Sequence, residues 1–346
     1  MPHQPTPTQS VAIVGDGQMG LVLASILATS PAPVPITLWG HDPDEISRLA
    51  QTRRSPRLTG VELPDSIRVT DDPAEALASA SMLVNAVPTQ FIRSVWARLA
   101  SHCPHGAPVV SVAKGIENDT LLRPLQVITD VLRDDPDRAA RPMLVLSGPT
   151  IAAELARCLP ATMIAASDNA HLAAAVQQLF TTSWLRIYTS DDPLGVEVAG
   201  AMKNVIAIAA GIIDGLQAGY NAKSALLARG LSEIVRLGAA MGARTETFFG
   251  LAGVGDLATT CFSPEGRNRS LGEALGKGET LDAYLKRTNS VVEGVATTRS
   301  VVQLAQRFNV DLPITAAVHA VLFEQLDPID AIAQLMNRPP REEAVG

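Results

Sequence analysis

Aromatic residues make up only 4% of this 346-residue chain. Its core must therefore be built from Ala, Val, Leu and Ile rather than from stacked rings. Cysteine is scarce as well: Cys103, Cys158 and Cys261 are widely spaced. An odd, scattered set argues against a disulfide framework and fits a reducing compartment. The six histidines form no His-Glu-x-x-His pattern, and no metal is expected. A basic excess is missing too. The net charge of −7 argues against a nucleic-acid partner, so cations that meet an anionic substrate must be local. Long apolar runs are absent. The nearest, VIAIAAGII, is bracketed by Lys203 and Asp214 and falls short of the roughly 20 residues that span a bilayer. The opening MPHQPTPTQS has no basic region followed by an apolar stretch, so it does not read as a signal peptide. Residues 1–9 are expected to be a disordered lead-in, and the protein cytoplasmic.

What is present is ample hydrophobic material, 47% of the chain, over about two domains' length. The first half alternates between two periods. Short apolar runs read as strands at Ser10–Gly15, Pro35–Gly40, SIRVT, Ser81–Val87, APVVSVA, Arg141–Gly148, Ala161–Ser167 and Leu185–Ser190. Helical patterns such as MGLVLASILAT, PDEISRLAQ and PTQFIRSVWARLA separate the early ones. Continuous apolar strands alternating with helices imply a mostly parallel sheet covered on both faces. The pattern changes after Asp191-Asp192-Pro193, and every later segment carries helical spacing. The expected organisation is a Rossmann-like α/β domain over 10–192, an all-α domain over 193–338 and a tail over 339–346. Ligands of such sheets bind beyond the carboxyl ends of the strands, where a second domain would close a cleft.

The first strand runs into VGDGQMG, that is Gly15-x-Gly17-x-x-Gly20. The first glycine makes the tight turn, the second admits a pyrophosphate to the backbone, and the third lets helix and strand pack closely. The helix that follows offers its N-terminal N–H groups to the phosphates. Position between strand and helix is the context that makes this motif informative. The end of the second strand should then report on the adenosine ribose, where an acid favours NAD(H). Here the strand ends in Trp39-Gly40-His41-Asp42. The tip lacks the acid, Asp42 comes late, and His41 could face a 2′-phosphate. The sequence permits NADP(H) and NAD(H) alike.

The stretch EVAGAMKNVIAIAAGII places Lys203 and Asn204 in the middle of an otherwise apolar helix. A snorkelling ammonium is the bland explanation. A lysine held in a closed, partly apolar site would instead lose hydration, and its pKa would fall toward values useful in proton transfer. Other polar residues stand where elements should face the cleft: Lys114 in VSVAKGIE, Gly148 and Thr150 in LSGPT, Asp256 and Thr260 in AGVGDLATTC, Arg267 and Asn268 in EGRNRS. Taken singly, each reads equally as a cap or surface residue. A shared cleft explains them together.

Through GDGQMG, LWGHD, AKGIE, SGPT-x-A-x-E, GAMKNVIAIAAGIIDGL, G-x-GDL-x-x-TC, GRNR and VVEG, the chain resembles the NAD(P)-dependent glycerol-3-phosphate dehydrogenases. These motifs fall in family order from Gly15 to Glu293, and the likeness continues into LPIT at Leu312–Thr315. The resemblance implies reversible reduction of dihydroxyacetone phosphate to sn-glycerol 3-phosphate by NAD(H) or NADP(H), a role in glycerophospholipid supply, and a homodimer. It implies that Lys203 is the proton donor to the carbonyl oxygen and Lys114 a second active-site lysine near substrate and nicotinamide. Asn204, Asp256 and Thr260 match polar residues around the reacting centre. Gly148, Thr150, Gly266, Arg267 and Asn268 match the substrate and phosphate site. Gly15, Gly17, Gln18, Met19, Gly20, His41, Phe91, Lys114, Ala152, Arg267, Val291 and Glu293 match the cofactor site.

Two departures stand out. Gln18 and Met19 replace the small residue and aromatic common after the second glycine, and Gly266 stands where bacterial relatives often have serine. Rival readings are a β-hydroxyacid or ketopantoate-type dehydrogenase, against which GRNR and the GDL segment argue, and a non-catalytic dinucleotide sensor. A sensor would have no need of the proton donor.

Overall fold

Apolar runs dominate the first half because a sheet buries them on both faces. The computed structural model describes residues 10–30, 33–133, 140–288, 290–339 and 342. The lead-in expected at 1–9 lies outside the described residues, as does most of the tail at 339–346. Strands β1 (Val11–Val14), β2 (Ile36–Trp39), β3 (Ile67–Thr70), β4 (Met82–Asn85), β5 (Val109–Ser111), β6 (Met143–Ser147), β7 (Ala161–Ala166) and β8 (Leu185–Ser190) form one sheet. Its order is β3-β2-β1-β4-β5-β6-β7-β8, and only the β6–β7 pair is antiparallel. Helices α1 (Gln18–Ala28), α2 (Pro43–Thr52), α3 (Pro73–Leu77), α4 (Ile92–Leu99), α5 (Pro124–Leu132), α6 (Ala152–Ala156) and α7 (Ala170–Phe180) join the strands.

Strand alternation sorts β1 between two apolar layers. Val11 and Ile13 pack with Leu23, Leu38 and Val176 on one face. Ala12 and Val14 pack with Leu83, Trp39 and Trp96 on the other. β1 lies between β2 and β4, so the chain leaves the sheet centre in opposite directions on either side of it. That reversal opens a crevice beyond the carboxyl ends of β1 and β4.

From Pro193 onward every named element among the described residues is helical. These are α8 (Pro193–Gly215), α9 (Gly219–Ala240), α10 (Thr245–Phe248), α11 (Asp256–Phe262), α12 (Arg267–Gly276), α13 (Leu281–Arg287), α14 (Glu293–Arg307), α15 (Pro313–Phe323) and α16 (Pro328–Met336), with a π-helical turn at Leu251–Gly255. Asp192 caps α8 by accepting from Gly195 N at 2.9 Å, and Pro193 supplies a preset φ for the first turn. With 23 residues, α8 is long and apolar enough to cross a membrane, yet 94% of its most apolar window is buried inside the fold. It forms the axis of the helical half, surrounded by Ile234, Leu257, Leu271 and Val301.

The contact between α8 and α12 is made backbone to backbone. A Cβ on Gly211 would overlap the Arg269 carbonyl, and one on Gly215 the Glu273 carbonyl. Reciprocally, a Cβ on Gly272 would overlap the Ile208 carbonyl, and one on Gly276 would reach Ile212 O. Two glycines one turn apart on each helix therefore allow the approach. Arg269 locks it, its Nε lying 2.7 Å from Asp214 Oδ2, with Lys223 of α9 on the same carboxylate at 2.8 Å.

Candidate active site

The glycine turn shows which of its members the fold needs and which a ligand needs. Gly15 has φ +116° and lies so close to the end of β4 that a Cβ would stand 2.9 Å from the Ala86 carbonyl. A Cβ on Gly20 would overlap the Gly15 carbonyl. At Gly17 an added Cβ would meet nothing within 4 Å. Gly15 and Gly20 thus serve turn and packing, whereas the bareness of Gly17 leaves room for something outside the protein. Gly17 also begins α1 without a side-chain cap, so the first N–H groups of an 11-residue helix face that space. This cradle fits a dinucleotide pyrophosphate. Gln18 is exposed and Met19 half-buried beside it.

At the tip of β2, His41 is exposed. Asp42 is consumed in capping α2, accepting from Asp44 N and Glu45 N at 3.0 Å each. Across the crevice Phe91 and Val291 are exposed, at 50% and 38%. Glu293 joins the two halves: its Oε1 accepts from Thr89 N at 3.0 Å. Ala152 opens α6 and packs against the β1–α1 layer.

Lys203 is buried in the middle of α8, one turn after Gly200. Its Nζ lies 2.8 Å from Asp256 Oδ1 and donates to Thr260 Oγ1 at 2.6 Å. Lys114 reaches the same carboxylate from the loop after β5, with Nζ 2.6 Å from Asp256 Oδ2 and 3.1 Å from the Gly148 carbonyl to which it donates. Asp256, 1% exposed at the start of α11, therefore bridges two ammonium groups. Burial pushes the Lys203 pKa down to about 8; Asp256 works against that fall and Lys114 adds to it. One carboxylate between two lysines leaves a net positive centre in a shielded site, suited to a developing oxyanion.

Asn204 is the next residue on α8. Its Nδ2 donates to the Lys114 carbonyl at 3.0 Å, and its Oδ1 accepts from Asn268 Nδ2 at 2.9 Å. Asn268 Oδ1 in turn accepts from Gly294 N at 2.9 Å. Carbonyl-side and α12-side residues are thus wired together. Arg267 remains exposed beside them, donating to the Val291 carbonyl at 3.1 Å. Gly266 precedes α12 without a side-chain cap, and a Cβ there would stand 3.2 Å from Thr260 O. Gly148 sits at φ +137°, with Met163 Cα 3.0 Å from any added Cβ, and Thr150 Oγ1 donates to its carbonyl at 3.2 Å.

The structure thus gathers Lys114, Gly148, Thr150, Lys203, Asn204, Asp256, Thr260 and Asn268 into one connected cluster, with Arg267 at its rim. Gly15, Gly17, Gly20, Gln18, Met19 and His41 lie at the separate glycine-turn end. Two features escaped the sequence reading. Gly200 gives passage to the Lys114 stem, whose Cγ would be 3.4 Å from an added Cβ. Its signal was available: a glycine three residues before a buried lysine. Ser147 Oγ, buried at the end of β6 and 3.7 Å from that same Gly200 position, has no hydrogen-bond partner among the described residues; the sequence carried it within SGPT but gave it no role.

Comparison with known proteins bears on both halves. The family model described as NAD-dependent glycerol-3-phosphate dehydrogenase N-terminus matches residues 10–173, and the corresponding C-terminus model matches residues 192–333. The chain is 45% identical over 335 residues to a protein of Salinibacter ruber named glycerol-3-phosphate dehydrogenase [NAD(P)+] 2, covering 96% of each chain. It is 43% identical to one of the same name from Mycobacterium tuberculosis, covering 96% of this chain and 98% of that one. Among solved structures, a glycerol-3-phosphate dehydrogenase from Coxiella burnetii superposes with a TM-score of 0.90 at 32% identity, covering 96% of this chain and 100% of the other.

Proposed function

The chain belongs to the NAD-dependent glycerol-3-phosphate dehydrogenase family, and from that premise we infer that it catalyses the reversible, NAD(P)H-dependent reduction of dihydroxyacetone phosphate to sn-glycerol 3-phosphate. The observation that carries the assignment of roles is the Asp256 bridge between Lys114 and Lys203. Residues 10–192 hold the dinucleotide and residues 193–338 complete the substrate site. Gly17 and the first N–H groups of α1, with Gln18 and Met19 beside them, would hold the pyrophosphate. Phe91, Ala152, Val291 and Glu293 line the rest of the cofactor's path, and His41 stands at its adenosine end. A bound reduced nicotinamide supplies a hydride to the carbonyl carbon of the substrate.

The chain's own residues do the remaining work. Lys203 donates its proton to the carbonyl oxygen and recovers it in the reverse direction. Lys114 shares the stabilisation of the developing negative charge. Asp256 keeps the two ammonium groups together, and Thr260 fixes the Lys203 head. Asn204, tied to the Lys114 carbonyl, sets the spacing between the lysines. Arg267 and Asn268 at the start of α12, with the N–H of Gly266, take the phosphate through charge-assisted hydrogen bonds. That remote binding energy orients the carbonyl for transfer. Gly148 and Thr150 border the carbon skeleton. The same family reading carries a homodimer, a cytoplasmic setting and a supply role for membrane glycerophospholipids.

The test is loss of reduced-nicotinamide absorbance when dihydroxyacetone phosphate is added to purified protein with NADH or NADPH. Turnover with the phosphorylated ketone but not with unphosphorylated ketoacids is expected. Saturable dinucleotide binding with no turnover of any ketone would overturn the assignment.

A further inference from the structure

The adenosine end of the dinucleotide site carries a carboxylate that comes from the wrong strand for the usual pattern. β2 ends at Trp39, and Gly40 and His41 bring no acid to its tip. Asp16, between the first two glycines of the turn, fills that gap. Its Cγ lies 3.0 Å from where a Cβ on Gly40 would stand. Ile46 Cδ1 fills that place itself, 2.3 Å from the same point, so the carboxylate stands beside the tip of β2, next to Ile46.

Asp16 is only 7% exposed, yet its carboxylate takes part in no hydrogen bond among the described residues. Its neighbouring cation is Arg57, whose Nε is 3.9 Å from Asp16 Oδ2, beyond hydrogen-bonding distance. The Arg57 guanidinium is paired instead with Glu45. Other basic groups nearby are committed elsewhere. Arg54 pairs with Glu62 at 2.8 Å, and Arg53 donates to the Ile67 carbonyl at 2.7 Å. His41 and Arg48 are exposed, where solvent screening weakens them. A shielded carboxylate with open acceptor capacity suits a vicinal diol and opposes a second anion.

We propose that Asp16 accepts the hydroxyls of the adenosine ribose and makes this protein select NADH over NADPH. In NADH the 2′-hydroxyl donates to the carboxylate. In NADPH a 2′-phosphate would bring negative charge against it, beside a cation already shared with Glu45. The proposal rests on the family reading of the glycine turn but not on the identity of the ketone.

NADH and NADPH are titrated separately onto the full chain by calorimetry, with no ketone present. NADH should bind at least about tenfold more tightly, equivalent to about 1.4 kcal/mol. Asp16→Asn should reduce that ratio by about tenfold or more. Glu45→Gln, at a half-buried position, should free Arg57 to pair with Asp16 and so tighten NADPH binding while weakening NADH binding. This variant decides the matter if Asp16→Asn does not fold. NADPH binding as tight as NADH in the wild type, an unchanged ratio in Asp16→Asn, or unchanged NADPH affinity in Glu45→Gln each overturn the proposal. Failure to bind either dinucleotide overturns both it and the proposed reaction. Selective NADH binding without turnover of dihydroxyacetone phosphate upholds Asp16 and overturns only the substrate.

Discussion

Lys203 is held near the balance point between its two protonation states. With its pKa brought down to about 8, it is charged below that pH and neutral above it. On the proposed reading, reduction needs its proton and oxidation needs the vacancy. The kcat for ketone reduction should therefore fall as pH rises through about 8, while the kcat for glycerol 3-phosphate oxidation rises over the same range. Replacing the bridging carboxylate, Asp256→Asn, removes the charge that opposes the fall in pKa; the limb in the reduction profile should move to lower pH. A limb that stays in place would detach Lys203 from the pH dependence. Lys203→Ala should lower kcat by roughly 10²–10⁴-fold while calorimetry still detects dinucleotide binding. Arg267→Ala, at the exposed rim, should mainly raise KM for the phosphorylated substrate; an unchanged KM would move the phosphate contact elsewhere. These residues stood out in the sequence because they are polar in apolar or glycine-rich surroundings. Their pairing was harder to read, since Lys114 and Asp256 are 142 residues apart and no local pattern records that one carboxylate serves two lysines.

At the scale of elements, the contact between α8 and α12 leaves no room for a side chain. Gly272→Ala would drive a methyl group into the Ile208 carbonyl. Thermal or denaturant unfolding should show a loss of about 1–3 kcal/mol or more. Turnover should suffer with it, because the first residues of α12 include Arg267 and Asn268. Normal stability in that variant would mean that the helices part easily. The strands were legible throughout: all eight fall where the sequence places one, the inner ones as apolar runs and the edge strands β3 and β8 as mixed runs that carry Arg68 and Arg186. The reversed direction of β6 against β7 left no such mark, because strand polarity is set by the connection and not by composition. Pro73–Leu77 was betrayed by its Asp72 cap and Pro73, but an uncapped short helix stayed quiet. Ala152–Ala156 is five residues, too few for an amphipathic period to emerge.

Across the whole molecule, α8 ties the two halves together. Glu197, 2% exposed near its start, accepts from Leu125 N at 2.9 Å and pairs with Arg123, both at the beginning of α5 beside the sheet. Burial raises the pKa of Glu197, and Arg123 is the cation that opposes the rise. Removing one partner of a buried pair strands the other. Arg123→Ala should cost about 3–5 kcal/mol in denaturant unfolding and should shift the sheet and helical halves together. Separate transitions for the two halves would show that α8 does not couple them. The sequence announced a change of character near Asp192, yet it offered no sign of this link, which depends on an arginine before one helix meeting a glutamate inside another.

The glycine contacts between α8 and α12 have a consequence for what the site admits. Lys203 and Asn204 ride on one helix and Arg267 and Asn268 on the other, while backbone meets backbone further along. Such a contact has no rotamers to rearrange, so the gap between carbonyl end and phosphate end acts as a fixed gauge. On the proposed reading, a three-carbon ketone phosphate is measured against that gauge. A homologue longer by one or two carbons could not be accommodated by repacking at the contact. It would have to bind with its phosphate or its carbonyl out of place.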